Sequence, residues 1–337
     1  VRRHPRRAGF WVLGSAMQGA CVAGMALAVW KLDGWQAGLA VLGLLIVFSL
    51  SRGFCSVSMK DVQGKCIPKS RRGRLAGLST TFSGLVTLAV SLLLLGGDDD
   101  PSRTFYIVLL LVGAGLWWLA AILFRFVREY DGETAGGANA LRETWQSLKL
   151  VRDDPPFRHF VITRSLRLCS ALSAPFFVVL AQRSSPDSRM LGAFLLASSL
   201  ASSLSAAFWG WMADVSSRKV MIRGSGLAAI ICLAMGVVAY CFAGASVLIW
   251  IIPVAYLVLS IAHAGVRIGR KTYLVDMAGG TKRTDYVAVS NTVIGVLLLV
   301  TGGVSALASL LSVEAVLILL GLMGAAGTIS ALRLEDV

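Results

Sequence analysis

Charged side chains are scarce in this sequence. Only 15% of the 337 residues are Asp, Glu, Lys or Arg, whereas 56% are hydrophobic and the mean hydropathy is +0.74. Soluble domains carry about 25% charged residues, and a chain of this length could not bury so much apolar surface in one or two cores. The composition therefore excludes a soluble globular protein and predicts a chain embedded in a lipid bilayer.

The groups that membrane-embedded catalysis would need are also missing. None of the 18 Asp and Glu residues falls in the middle of an apolar run. The six cysteines have no metal-ligand spacing, no H-E-x-x-H motif occurs, and no Ser/His pair lies near the centre of a run. These absences argue against a membrane-embedded enzyme, and the sequence predicts neither a cofactor nor a metal site.

Ten apolar runs are long enough to cross a bilayer, which takes about 20 residues in a helix. They are residues 8–30, 38–58, 75–97, 105–127, 157–181, 190–212, 220–243, 247–266, 286–311 and 313–332. Strands of a membrane barrel would be about 10 residues long and would alternate in polarity. The predicted fold class is an all-α polytopic membrane protein with about ten transmembrane helices.

The net charge is +14, and the basic residues that produce it are distributed according to the predicted topology. Of the 32 Lys and Arg residues, 28 fall on the side of the membrane that holds the N-terminus. The positive-inside rule makes that side cytoplasmic, so both termini are expected in the cytoplasm. The basic excess therefore indicates anionic lipid, rather than nucleic acid, as its physical partner.

Two regularities organise the chain. The longest connection, residues 128–156, predicts a cytoplasmic linker with an amphipathic helix, which separates residues 1–127 from residues 157–337. With an offset of 211, residues 52–84 overlay residues 263–295, and each segment reads as a span, a basic loop and a new span. Internal repeats of this size are typical of transporters.

One loop carries a motif. Gly210-Trp-Met-Ala-Asp214-Val-Ser-Ser-Arg218-Lys219 resembles the G-x-x-x-D-x-x-G-R-R/K signature of the major facilitator superfamily, with Ser217 where the family usually has glycine. A small residue lets two helices approach, and the Asp side chain can accept hydrogen bonds from a helix N-terminus or pair with an arginine. The resemblance implies that this turn is a cytoplasmic latch that opens and closes during transport.

A second loop agrees with the first. The segment Pro68-Lys-Ser-Arg71-Arg72-Gly73 resembles the P-x-x-x-R-G loop that follows the family's fourth helix. The resemblance covers essentially the whole chain and maps the first run here onto the family's third helix. It implies a superfamily-type bundle of four plus six helices, and we expect an N-terminally truncated chain that lacks the first two helices.

The resemblance also implies a function. We expect a secondary active or facilitative transporter of a small solute that works by alternating access in the bacterial cytoplasmic (inner) membrane, rather than an enzyme. A non-transporting member of the family or an inactive fragment stays an alternative, because four plus six helices do not form two equal bundles. The substrate itself cannot be identified from the fold.

The fifth run contains two arginines that bear on the site. Its uncharged part, residues 168–181, is too short to cross the hydrocarbon core, so the helix is expected to include Arg164 and Arg167. Lying three residues apart they share a helix face, which is predicted to point into a cavity or at a partner. Snorkelling to the cytoplasmic interface is the alternative.

Four further residues complete the candidate site. Arg52, His263 and Arg267 lie at a similar cytoplasmic depth, and a cluster of arginines around one cavity would favour an anionic or carboxylate-bearing substrate. Both arginines could equally be ordinary positive-inside anchors. His263 could relay a coupling proton or simply be hydrogen-bonded, and Asn291 could line a polar path or serve helix packing.

Overall fold

The computed structural model describes residues 4–96, 102–132, 149–184, 189–278, 282–307 and 312–336, without the side chains of 93–96, 184, 189–193, 284 and 301–307. The regular structure in these ranges is helical throughout. The helices are α1 (Ala8–Lys31), α2 (Gly34–Cys66), α3 (Lys69–Gly96), α4 (Arg103–Phe124), α5 (Pro155–Leu166), α6 (Cys169–Leu172), α7 (Ala174–Ser184), α8 (Arg189–Val215), α9 (Ser217–Cys241), α10 (Leu248–Met277), α11 (Lys282–Leu307) and α12 (Val313–Leu332). Most of the predicted amphipathic linker helix lies outside the described residues.

The described helices include nine stretches that are long and apolar enough to cross a membrane, with α5 to α7 counted together as one. A shorter apolar stretch, residues 285–300 of α11, corresponds to the predicted run 286–311, whose last residues are outside the described ranges. The predicted fold class, an all-α polytopic membrane protein, is confirmed. The repeat is visible in the helix ends, because Cys66 ends α2 and Met277 ends α10, 211 residues apart.

Local chemistry explains where several helices begin. Ser102, Ser216 and Ser312 precede α4, α9 and α12, and each side-chain oxygen accepts a hydrogen bond from a backbone N–H in the first turn. Asp154 does the same for α5, which then starts with proline. Such caps satisfy N–H groups that have no partner within the helix. Between α1 and α2, Gly34 has φ +55°, a left-handed conformation that favours glycine.

The fifth predicted run forms a span, but its helix is not continuous. It breaks after Leu166 and again at Ser173, which leaves α6 as a single turn. Pro175 has no N–H to donate to the carbonyl four residues earlier, so the second break follows from the sequence. The hydroxyls of Ser170 and Ser173 donate to backbone carbonyls three residues back, which competes with regular helix bonding.

The described helices form two compact units. Unit 1 contains α1, α2, α4 and the first turns of α11, and unit 2 contains α3, α5 to α10, the rest of α11 and α12. In unit 2, α3 packs along α8, while α9 packs against α10 and α12. The predicted division into residues 1–127, 128–156 and 157–337 follows the family's two halves and stays a prediction.

A buried ion-pair network closes one end of unit 1. The Arg7 Nη1 atom lies 2.6 Å from Asp61 Oδ1, and Lys65 Nζ lies 2.7 Å from Asp61 Oδ2 and 2.6 Å from Glu129 Oε1. The Glu129 carboxylate also accepts hydrogen bonds from the backbone N–H groups of Arg7 and Ala8 at the start of α1. We call these four charged residues, Arg7, Asp61, Lys65 and Glu129, the balanced cluster.

Candidate functional site

Unit 2 contains a polar cavity of about 330 Å³. It lies between α6, α7, α8 and α10, and hydroxyl groups and two basic side chains dominate its wall. Its lining residues are Ser170, Ala171, Ala174, Ser198, Ser202, Tyr256, Leu259, Ser260, His263, Ala264 and Arg267. The volume falls at the lower end of the range of small-molecule sites.

A second cavity of about 130 Å³ adjoins the first. It lies between α3, α8 and α10, and its lining residues are Thr80, Ser83, Gly84, Thr87, Ser198, Ser199, Ser202 and Arg267. The two cavities share Ser198, Ser202 and Arg267, and all of their lining residues belong to unit 2. We refer to them together as the paired cavities.

His263 and Arg267 provide the basic part of this wall. They lie one turn apart on α10, and therefore on the same face of the helix. His263 Nδ1 is 3.1 Å from Ser170 Oγ. Arg267 is half-buried and its Nε has no hydrogen-bond partner. No carboxylate of the described residues lies within ion-pair distance of Arg267. Both residues were predicted from the sequence, and their roles stay predictions.

Arg164 and Arg167 contact neighbouring helices and do not line the paired cavities. Arg164 donates to Ser290 Oγ and, from Nη2 over 3.0 Å, to Asn291 Oδ1, both on α11. Arg167 Nη2 donates over 2.9 Å to the carbonyl of Met221 on α9. Both arginines are buried. Each arginine therefore contacts a protein partner, which was one of the predicted alternatives. Because α5 ends before Arg167, the two side chains contact different helices.

The sequence interpretation missed Arg270. It is half-buried on α10. Its positive charge is close enough to repel the positive charges of Arg164, Arg167 and Arg267. Its position three residues after Arg267 could have revealed it, since the two residues share a helix face. Arg52, by contrast, is exposed on α2 in unit 1. Within unit 2, Arg164 lies on α5, Arg167 directly follows it, and Arg267 on α10 lines the paired cavities.

The two loop motifs contact each other. Asp214 accepts hydrogen bonds from the backbone N–H groups of Gly73, at 2.6 Å, and Arg74, at 3.1 Å, near the start of α3. The backbones of α3 and α8 touch there, because a Cβ on Gly210 would lie 2.8 Å from the Cα of Gly77. Both predicted contacts of the Asp are present, since Asp214 Oδ2 also lies 3.2 Å from Arg74 Nε. Their role as a latch stays a prediction.

The remaining motif residues surround this contact. Pro68 immediately precedes α3, and Arg72 Nη1 lies 2.8 Å from Asp276 Oδ1 at the end of α10. Arg218 donates to the carbonyl of Leu334 over 2.8 Å, after the end of α12. The Lys219 side chain is exposed. Its backbone N–H donates a hydrogen bond to the Oγ atom of Ser216, which caps α9. The motif arginines therefore hold helix ends together within unit 2.

Known structures share this fold, although no family model and no curated protein matches the sequence. The E. coli fucose:proton symporter is 14% identical, with a TM-score of 0.66 over 97% of this chain and 84% of that one. An outward-facing bacterial homologue of the iron transporter ferroportin is 12% identical, with a TM-score of 0.67 over 98% and 84%. The human organic anion transporter MFSD10 (TETRAN) is 13% identical, with a TM-score of 0.56 over 96% and 82%. The chain therefore has the major facilitator superfamily fold that its loop motifs predicted.

Proposed function

We propose that the protein is a secondary active or facilitative transporter that carries a small anionic solute across the membrane by alternating access. The observation that carries the proposal is a polar pair of cavities inside a transporter-type helical bundle, with an arginine on their shared wall. The three similar structures support it, since their names describe a symporter, a relative of an iron transporter and an organic anion transporter.

The charge of the site supports an anionic solute. A guanidinium at membrane depth costs a few kcal/mol unless it is paired or hydrated. Arg267 has no acidic partner in the described ranges, and Arg270 adds a second positive charge nearby. Arg164 and Arg167 donate to neutral oxygens, so they do not offset this charge. A bound anion at Arg267 would neutralise it.

A coupling proton is proposed at His263. Histidine is the side chain whose ordinary pKa lies closest to neutrality, and His263 lines the larger cavity one turn from Arg267. The carboxylates of the described helices lie near helix ends, where they pair with arginines or cap backbone groups. Protonation of His263 would add positive charge beside the anion, which favours uptake of both together.

The latch and the location complete the proposal. Alternating access requires the contact of Asp214 with the start of α3 to break and re-form in each cycle. We propose a bacterial inner membrane with both termini in the cytoplasm, because the basic residues concentrate on that side. We propose a transporter rather than an enzyme, because the names of the three similar structures describe transporters or a homologue of one.

Transport by the purified full chain in proteoliposomes tests this function. We expect uptake of at least one labelled organic anion from a panel of carboxylates, with uptake at least tenfold lower in Arg267→Gln. Arg125→Gln is the matched control, because Arg125 is exposed after α4, and it should transport normally. A folded protein that takes up no solute of any class would instead favour the non-transporting alternative.

A further inference from the structure

Four hydroxyl groups of α3 and α8 that line the paired cavities have already used their hydrogens. Thr80 Oγ1 donates to the carbonyl of Ala76 over 2.9 Å, and Thr87 Oγ1 to that of Ser83 over 2.8 Å. Ser198 and Ser199 both donate to the carbonyl of Leu195. A hydroxyl has one hydrogen and two lone pairs. These groups can therefore offer a solute only acceptors.

The basic part of the wall has the opposite character. A guanidinium presents five N–H donors in a planar fork and no acceptor, and its geometry matches a carboxylate. Arg267 belongs to both cavities, so this donor group stands directly beside the acceptor oxygens of α3 and α8. A solute that matches both groups must accept hydrogen bonds from Arg267 and donate hydrogen bonds to these four oxygens.

This division excludes several kinds of anion. Inorganic anions and simple aliphatic or aromatic carboxylates have no group that donates to these four oxygens, so they would replace water there without making the hydrogen bonds that a donor would make. Amino acids bring an ammonium group, which Arg267 and Arg270 would repel, and no carboxylate of the described residues lines the cavities to offset it. Neutral sugars lack the group that Arg267 requires.

One class of solute meets all of these conditions. We propose that the transported anion is a polyhydroxylated carboxylate, such as a sugar acid, with its carboxylate at Arg267 and its hydroxyls donating to the side chains of α3 and α8. This inference rests on the proposed function and specifies its substrate. The Tyr256 side chain lies in the wall of the larger cavity, and its ring makes an edge-to-face contact with Phe194, with 4.5 Å between the ring centroids.

The test compares solutes that differ in one feature. Four labelled sugar acids (gluconate, galactonate, glucuronate and galacturonate) are measured by counterflow into proteoliposomes that hold the full chain, beside hexanoate, which lacks the hydroxyls, and glucitol, which lacks the carboxylate. We expect at least one sugar acid to exchange at least tenfold faster than both hexanoate and glucitol. If hexanoate exchanges as fast as the best sugar acid, the substrate class is overturned while transport itself stands.

Two variants assign the preference to the site. Thr87→Val keeps the side-chain shape and removes the acceptor oxygen, so it should slow sugar-acid exchange at least threefold relative to hexanoate. Thr104→Val is the matched control, because Thr104 is exposed on α4 in unit 1, and it should leave the ratio unchanged. An unchanged ratio in Thr87→Val and Thr80→Val together would overturn the inference. Absence of exchange for every solute would instead overturn the proposed function.

Discussion

The basic side chains of the balanced cluster in unit 1 and the two arginines of the fifth span in unit 2 have different partners. In unit 1, Arg7 and Lys65 each lie within 2.7 Å of the Asp61 carboxylate, and these side chains are almost fully enclosed. In unit 2, Arg164 and Arg167 donate to hydroxyl, amide or carbonyl oxygens. A buried ion pair that compensates its own charge has no need of a ligand. A group of buried arginines with neutral partners keeps its charge, and that charge is available to an anion.

The largest loss of stability is expected from a substitution in the balanced cluster of unit 1. Asp61→Asn would leave two buried cations without their shared carboxylate, and breaking such a pair costs about 3–5 kcal/mol. We expect a marked fall in the unfolding temperature of the purified protein. Asp33→Asn is the control, because the Asp33–Arg103 pair is exposed and should contribute less than about 1 kcal/mol. Equal losses in both variants would show that burial of the cluster is unimportant.

Removal of a charge from unit 2 should have the opposite consequence. Arg267→Gln removes a positive charge that has no acidic partner in the described part of the chain, so the unfolding temperature of the empty protein should hold or rise. Anion binding should fall at least tenfold, since the guanidinium is the proposed anchor. Isothermal titration with the best-transported anion measures the binding. A destabilised variant with normal affinity would reverse the comparison between the units.

The next largest effect is expected from a substitution at the glycine contact between α3 and α8 in unit 2. A Cβ added at Gly210 would press on the backbone of α3, so Gly210→Ala should separate α3 from α8 at a cost of about 1–3 kcal/mol. Gly115→Ala is the matched control on α4, where a Cβ meets nothing within 4 Å, and it should be neutral or stabilising. Thermal unfolding and uptake measured side by side would reveal whether the contact also matters for transport.

The smallest expected effect is on the pH dependence of uptake, which tests the coupling proton proposed at His263. If His263 takes up a proton with the anion, uptake should rise as the external pH falls, because the protonated imidazole adds positive charge beside the anion. His263→Asn keeps a polar side chain that can contact Ser170 but cannot titrate, so its uptake should vary less with pH. Uptake into proteoliposomes at stepped external pH measures this. The same slope in both proteins would remove His263 from the coupling.

The sequence predicted those features that depend on local composition. Hydropathy located the spans, and the loop motifs predicted that Asp214 accepts hydrogen bonds at a helix start. The contact of Arg164 with Asn291 and the association of Thr80 with Arg267 in one cavity were not predictable. Both depend on which helices pack together, and the hydropathy of a lipid-embedded helix contains little of that information.

The break in the fifth span shows a second limit. A window of apolar residues does not register that Pro175 withholds one hydrogen bond, or that a serine hydroxyl can bond its own backbone instead of continuing the helix. The other break in this span, after Leu166, separates Arg164 on α5 from Arg167 beyond its end, which is why the shared face expected from their spacing is absent. The residues were correctly selected, but their directions required the tertiary structure.

The hydroxyl groups of α3 and α8 that donate to their own helix also matter when no solute is bound. A transport cycle leaves the site empty at least once, and a cavity whose donors all depended on the solute would then hold orphaned N–H and O–H groups. Thr80, Thr87, Ser198 and Ser199 keep their hydrogen bonds whether or not a solute is present. These four hydroxyls therefore keep a partner when water leaves the cavity, which suits a compartment that is vacated in every turnover.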